Sequence, residues 1–331
     1  MPSADKAVVV TGIGKSFGSV VALRDISFEV ARGEVLGLLG PNGAGKTTMV
    51  DILSTLTRPD HGHAEVAGHD ILSNPAGVRR SMMLTGQQVA LEDMLTGREN
   101  LVMFGRLQGL KKSEARSRTE ELLDQFDLVQ EADRCVSTYS GGMRRRIDIA
   151  CGLVVRPEAV FMDEPTTGLD PRSRQSVWEL VSDFKKAGIG TLLTTQYLEE
   201  ADALSDRIIV IDHGTIIAEG TADELKERTG ATYCEIVPRH LNDLPATAEA
   251  LDALLPEENR AALTSASDRI VMPAPDGSDT LVQALVRLHA ANIELRDITL
   301  RRPSLDEVFL ALTAKNTDEL GARQIDGKAI L

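Results

Sequence analysis

An α/β core built on a parallel sheet, interrupted by a helical insertion and followed by a small α+β unit, is the fold class this sequence predicts. Three observations predict it. Near-continuous apolar runs such as EVLGLLG (Glu34 to Gly40) have the look of strands buried on both faces. Further apolar runs follow at Met82 to Leu84, Ala159 to Met162, Gly190 to Leu193 and Arg207 to Ile211, and helical patterns separate them. After Gly230 a new alternation begins, with shorter strands and helices.

Taken in order, Ala7 to Val10 and Ile26 to Val30 read as opening strands. Between Gln87 and about Val155 only helices are predicted: Arg98 to Gln108, Ser113 to Phe126, and one starting at Ser140. That block, about residues 88–155, forms a subdomain within a first domain of residues 6–228. Thr221 and Glu224 stand at capping-box spacing, and the domain boundary falls at residues 229–231. Residues 231–315 alternate strand (Thr232 to Val237), helix (Leu244 to Leu255), strand (Arg269 to Met272), helix (Thr280 to Ala290), strand (Glu294 to Leu300) and helix (Ser304 to Leu312). The last helix opens with Ser304 and Glu307 after Pro303, and residues 316–331 are expected to form a flexible tail.

Composition narrows the function classes. In 331 residues, 42% are hydrophobic and 26% charged, which is globular rather than disordered or fibrous. No run approaches the roughly 18 to 20 apolar residues that cross a bilayer, and MPSADKAVVV does not read as a secretory signal. Cys135, Cys151 and Cys234 lie far apart, without a C-x-x-C pair or a histidine at ligand spacing, and are expected as buried, reduced thiols. A net charge of -14 argues against general affinity for nucleic acid. The basic clusters Arg79-Arg80, Lys111-Lys112 and Arg144 to Arg146 are read as solvated faces.

GPNGAGKTT, Gly40 to Thr48, satisfies G-x-x-x-x-G-K-[ST] between a buried strand and a helix start. Gly40, Gly43 and Gly45 free the backbone to aim N-H groups at phosphate, Asn42 and Thr48 complete the loop, and the helix terminus adds positive potential. Lys46 would reach the β- and γ-phosphates and Thr47 would ligate Mg²⁺. In VFMDEP, Asp163 ends a buried strand where it can hold Mg²⁺ through its water shell, and Glu164 is placed to accept a proton from attacking water. Phosphate loop and acids together define a P-loop NTPase with ATP and Mg²⁺ as its expected ligands.

STYSGGMRRRIDIA, Ser137 to Ala150, carries Ser140, Gly141 and Gly142 ahead of a helix, with Ser140 as N-cap and free amides that can meet an anion. A second phosphate site on one chain is redundant unless two chains meet. With these motifs the sequence resembles the ATP-binding subunits of ABC transporters over residues 6–228; the usual LSGGQ appears as Tyr139 to Met143. The resemblance implies two subunits paired head to tail, each signature closing over ATP in the other's loop. It also implies that Asp170 in TGLD is the D-loop aspartate and that Phe17 stacks on adenine, although Phe17 also reads as ordinary core. Asp170 before Pro171 is at the same time a natural helix cap. Gln87 and Gln88 are adjacent; family spacing selects Gln87 as the glutamine that ligates Mg²⁺ and senses the transmembrane partner.

YSGGMRRR, TTGLDPRSR, TTQYLEEAD and RRPSLDEVFLALT together resemble one branch, the daunorubicin-resistance (DrrA) type of actinobacteria, and most closely its mycobacterial members. That resemblance implies an exporter of hydrophobic drugs, antibiotics or complex lipids, two separate membrane permease subunits, and a peripheral place on the cytoplasmic face of the membrane. Where the wider family has a histidine, Gln196 stands: its amide keeps a donor for the γ-phosphate but does not titrate near neutral pH. Glu199 and Glu200 are expected as an acidic first turn of the next helix. A rival reading is an ATP-dependent dimerising switch with little turnover, for which Gln196 and Met143 are the support. A translation or DNA-repair factor is disfavoured by the acidic charge and the single ATP site.

Overall fold

The structure, a computed structural model, describes residues 5–86, 91–228, 232–252, 254–255, 264–265, 268–301, 305 and 307–309. The expectations at Gln87, Gln88, Pro303, Ser304, the boundary residues 229–231 and the tail 316–331 lie outside the described residues. The chain divides into two compact units, Met1–Ala222 and Asp223–Leu331.

The first unit opens with β1 (Lys6–Phe17), β2 (Val20–Ala31), β3 (Val35–Leu39), α1 (Lys46–Leu53), β4 (His61–Val66), β5 (His69–Asp70), α2 (Pro75–Ser81) and β6 (Met82–Thr85). Helices α3 (Gly97–Leu107), α4 (Lys112–Gln125) and α5 (Gly141–Gly152) follow. The unit continues with β7 (Ala159–Asp163), α6 (Pro171–Lys186), β8 (Gly190–Thr195), α7 (Leu198–Leu204), β9 (Arg207–Asp212) and β10 (Thr215–Gly220).

Six strands form the central sheet in the order β10-β9-β3-β8-β7-β6, parallel from β9 to β6 with β10 antiparallel at the edge. Both faces are covered, so β3, β7 and β8 are buried at every position. Leu36, Leu38, Phe161, Leu192 and Ile209 turn to a core shared with α1, β1, β2 and β4. Val35, Val160, Met162 and Leu193 turn to the other, shared with residues of α3 through α6. Because successive side chains of a strand point to opposite faces, each central strand serves both cores at once.

The opening strands form where expected and run further in both directions. They are parts of 12-residue strands in a separate four-stranded sheet, β2-β1-β4-β5, whose pairs are antiparallel. The reason is legible in β2, where buried Ile26, Phe28 and Val30 alternate with Ser27 and Glu29: a one-sided strand suits an antiparallel sheet with one wet face. The hairpin β4-β5 and the edge strand β10 are further elements beyond those predicted; both are short and mixed in polarity.

The second unit comprises α8 (Ala222–Arg228), β11 (Tyr233–Pro238), α9 (Leu244–Asp252), β12 (Thr264–Ser265), β13 (Ile270–Pro273), α10 (Ser278–Ala290) and β14 (Leu295–Arg301). Its strands pair antiparallel in the order β12-β13-β11-β14. Cys234, Ile236, Ile270 and Met272 pack with Leu251 of α9 and with Ala284 and Leu288 of α10. Among the described residues no helix is long and apolar enough to cross a membrane. All three cysteines are free; Cys151 and Cys234 are buried, whereas Cys135, expected inside, is exposed.

Candidate ATP site

The site is assembled at the carboxyl ends of β3, β7 and β8, which lie side by side. Parallel pairing sets Leu39 opposite Thr195 and Asp163 opposite Thr194, so the loops that follow these strands emerge together. After β3 the chain turns through Gly43 at φ 82° and Gly45 at φ 110°, both left-handed, before α1 begins at Lys46. A Cβ on Gly43 would meet no atom within 4 Å, so the backbone there faces open space. Gly45 differs: its Cβ would stand 2.6 Å from Ala22 O and 2.7 Å from Leu23 Cδ2, which makes that position sterically glycine's alone. Asn42 and Thr47 are exposed, Thr48 is half-buried, and Gly40 is buried beside β9.

Lys46 is 4% exposed and its Nζ donates to Gly40 O at 2.7 Å and Pro41 O at 3.1 Å. The same ammonium stands 3.7 Å from Glu164 Oε1. Burial lowers its pKa, and the charges of Glu164 and Asp163 oppose that shift. Asp163 is buried and its Oδ1 accepts from Thr194 Oγ1 at 2.5 Å. Thr194, absent from the sequence-based set, is a hydrogen-bonded neighbour of both acids that the strand register brings into place. Glu164 carries φ 49°, a left-handed backbone uncommon for a residue with a side chain. Its N-H donates to Thr194 O at 3.1 Å, and its Oε2 accepts from Thr167 Oγ1 at 3.3 Å. Lys46, Asp163 and Glu164 are thus brought together as the motifs predict.

Gln196 follows β8 directly, half-buried, with Thr195 Oγ1 accepting the Tyr197 N-H at 2.9 Å across the turn into α7. Glu199 and Glu200 form the acidic first turn of α7 as expected, and Glu200 is in addition buried, at 1% exposed. Burial raises its pKa above the ordinary 4.5 although Thr195, Thr166, Trp178 and Arg174 favour the charged form. Neither Glu200 oxygen has a hydrogen-bond partner among the described residues. Phe17 is 51% exposed at the β1-β2 turn, so the core reading fails for it; Lys15 Nζ lies 5.3 Å from its ring centre.

Ser140 caps α5, accepting the Met143 N-H at 3.3 Å, while Ser140 and Gly141 remain exposed. The departures from LSGGQ have packing reasons. The buried Tyr139 hydroxyl donates to Glu131 O at 2.7 Å, and Met143 packs against the helical core. Asp170 caps α6, accepting from Ser173 N at 2.9 Å and from Ser173 Oγ at 3.1 Å, bonds that lower its pKa. Ser140, Gly142, Asp170 and Ser173 line one cleft, and no residue of the phosphate loop lines it. Among the described residues no group of three or more His, Cys, Asp or Glu could hold a metal.

A glycine loop at the head of a helix, two acids at a strand end of the same sheet and a Ser-Gly-Gly-capped helix between β6 and β7 make the ATP-binding domain of an ABC transporter. Residues 23–167 match the family model described as ABC transporter. The chain is 69% identical over 322 residues to the doxorubicin resistance ATP-binding protein DrrA of Mycobacterium tuberculosis (strain ATCC 25618 / H37Rv), covering 97% of each. It is 48% identical over 315 residues to the daunorubicin/doxorubicin resistance ATP-binding protein DrrA of Streptomyces peucetius, covering 95% of this chain and 94% of that protein. A solved structure of an ATP-binding subunit of an ABC transporter superposes with a TM-score of 0.62 at 29% identity, over 68% of this chain and 93% of that one. The chain belongs to the DrrA family of ABC transporter ATP-binding proteins. It is an ATPase of that class, whose subunits dimerise and work with membrane subunits.

Proposed function

We propose that this chain hydrolyses ATP as a head-to-tail pair with a second copy of itself, driving export of a hydrophobic drug, antibiotic or complex lipid. Two separate permease subunits would supply the pore, and the pair would sit on them at the cytoplasmic face of the membrane. The drug-resistance names of the relatives support this reading for cargo and direction. For chemistry, the observation that carries it is the buried convergence of Lys46, Asp163 and Glu164 beside the glycine loop.

Each residue then has a task. The amides at Gly43 and Gly45 and the Lys46 ammonium hold the β- and γ-phosphates, with Gly40, Asn42 and Thr48 shaping the loop. Phe17, already exposed, offers its ring to adenine. Ser140, Gly141 and Gly142 of the second copy close on the γ-phosphate, Gln196 donates an amide hydrogen to it, and Asp170 lies at the seam. Glu164 takes a proton from water as the water oxygen bonds to the γ-phosphorus and the bond to ADP breaks.

The Thr47 hydroxyl and the Asp163 carboxylate suit a hard divalent cation, and by the family resemblance Gln87, which lies outside the described residues, would be a third oxygen donor. Among the described residues too few carboxylates gather here to hold Mg²⁺ alone, so it would arrive with the nucleotide and neutralise charge on the β- and γ-phosphates.

Glu164→Gln tests the assignment. The variant should bind Mg-ATP within about twofold of wild type, lose turnover by about 10²-fold or more, and accumulate as an ATP-bound dimer in sedimentation. Hydrolysis at the wild-type rate would remove Glu164 as the base. A wild-type chain that binds Mg-ATP yet shows no turnover with its membrane partners would leave only the regulatory-switch reading.

A further inference from the structure

Three arginines follow the signature glycines, and two behave as a surface cluster should. Arg144 pairs with Asp93, and Arg146 donates to Phe126 O at 2.9 Å; both are partly exposed. Arg145, expected on the same solvated face, is instead 6% exposed. All three of its nitrogens are engaged. Nε donates to Pro165 O at 3.1 Å, and Nη1 donates to Gly86 O at 3.0 Å and Asp148 Oδ2 at 3.3 Å. Nη2 donates to Thr85 Oγ1 at 3.4 Å.

The placement of those partners matters more than their number. Thr85 and Gly86 are the end of β6 and the residue after it; Pro165 directly follows Glu164. Arg145 itself lies little more than one turn into α5, whose cap is Ser140. One planar group therefore joins the signature helix to two strand ends of the central sheet. A guanidinium suits this because its donors fan out in a fixed fork, whereas an ammonium is a single point. Burying such a charge is costly unless carboxylates and carbonyls meet it. Asp148 does so directly, and the charge of Glu200 on α7 also bears on Arg145.

Glu164 supplies the need for such a joint. Its left-handed backbone persists only if the surroundings hold it, and the carbonyl gripped by Arg145 belongs to the very next residue.

We infer that Arg145 is a positioning residue, which locks the backbone at Gly86 and Pro165 to the signature helix and so sets where the Glu164 carboxylate stands. The role rests on the hydrolysis reading above only for its effect on turnover; the lock itself is a property of the backbone.

The test uses the full chain with Arg145→Lys and Arg145→Gln, measuring kcat, KM, nucleotide Kd, melting temperature and hydrogen exchange at residues 84–86 and 164–167. Expected for both are a fall in kcat of about 10- to 100-fold, with KM and Kd within about threefold and a smaller loss for Lys than for Gln. Exchange in the two segments should accelerate by about tenfold or more, while other segments keep their wild-type rates. Unchanged kcat in folded variants overturns the proposal, and so does a loss of turnover that merely follows a general loss of stability and binding. If neither variant folds, Asp148→Asn loosens the guanidinium without removing it; it should lower kcat about threefold, and an unchanged kcat overturns the role. A wild-type chain without turnover defeats the hydrolysis reading alone, and equal exchange in wild type and Arg145→Lys would then be what defeats the lock.

Discussion

Gly43 and Gly45 share a left-handed backbone but differ in what surrounds them, and that difference predicts unequal costs. Alanine at Gly43 meets open space and suffers only conformational strain, about 1 to 2 kcal/mol. Alanine at Gly45 adds a clash with the Ala22 carbonyl, which is backbone and cannot turn aside. Thermal unfolding should rank Gly45→Ala well below Gly43→Ala, and equal melting temperatures would contradict the packing. Gln196→His probes whether a titrating group was given up: with positioning dominant, kcat should stay within about twofold of wild type, and a new inflection near about pH 6.5 would instead reveal proton transfer. Glu200 gives a stability test of opposite character. Its folded pKa is raised by burial, so the folded chain holds a proton that the unfolded chain releases. Stability should therefore fall as pH rises from the ordinary 4.5 through the raised folded value and level off above it. Chemical denaturation across that window should show a shallower slope for Glu200→Gln; an unchanged slope would mean that Glu200 is not the group responsible. The phosphate loop was legible because its chemistry is contiguous in sequence. Arg145 and Glu200 were not, because each looks like a surface charge on its own helix and is buried by partners far away in the chain.

Elements were legible to the extent that their pattern is local. Helix α3 falls where Arg98 to Gln108 was expected, and the structure adds a full capping box at its start: Glu99 N-H donates to Thr96 Oγ1 at 3.1 Å and Thr96 N-H to Glu99 Oε2 at 2.9 Å. The β4-β5 hairpin gives no such signal, since HGHAEVAGHD is neither a clean alternation nor an apolar run. It is held by pairing with β1, a partner about fifty residues earlier, as in Val8 opposite Val66 and Val10 opposite Ala64. The assignment of β1 and β2 to a separate sheet was hidden likewise: their alternation was visible in sequence, whereas what lay across from them was not. Thr96→Ala removes one cap at some distance along the chain from either ATP-site motif. It should cost about 1 kcal/mol of stability and leave Kd for Mg-ATP unchanged; a fall in nucleotide affinity would mean that α3 also braces the site.

At the scale of the whole molecule, pairing sets two chains of net charge -14 against each other, and the bound nucleotides add further negative charge. The attraction that closes such a pair is local, through loop amides, the capped signature helix and the phosphates, whereas the repulsion is spread over both surfaces. Salt acts unequally on the two. Screening reaches about 30 Å at 0.01 M but only about 10 Å at 0.1 M, so raising ionic strength removes distributed repulsion while leaving contacts at hydrogen-bond distance largely intact. Glu164→Gln with Mg-ATP, followed by sedimentation velocity, should show a dimer that tightens between about 0.01 and 0.15 M salt. A dimer that weakens over that range would mean that opposite charges meeting across the seam outweigh the net charge, with Arg172 beside Asp170 then the first cation to mutate.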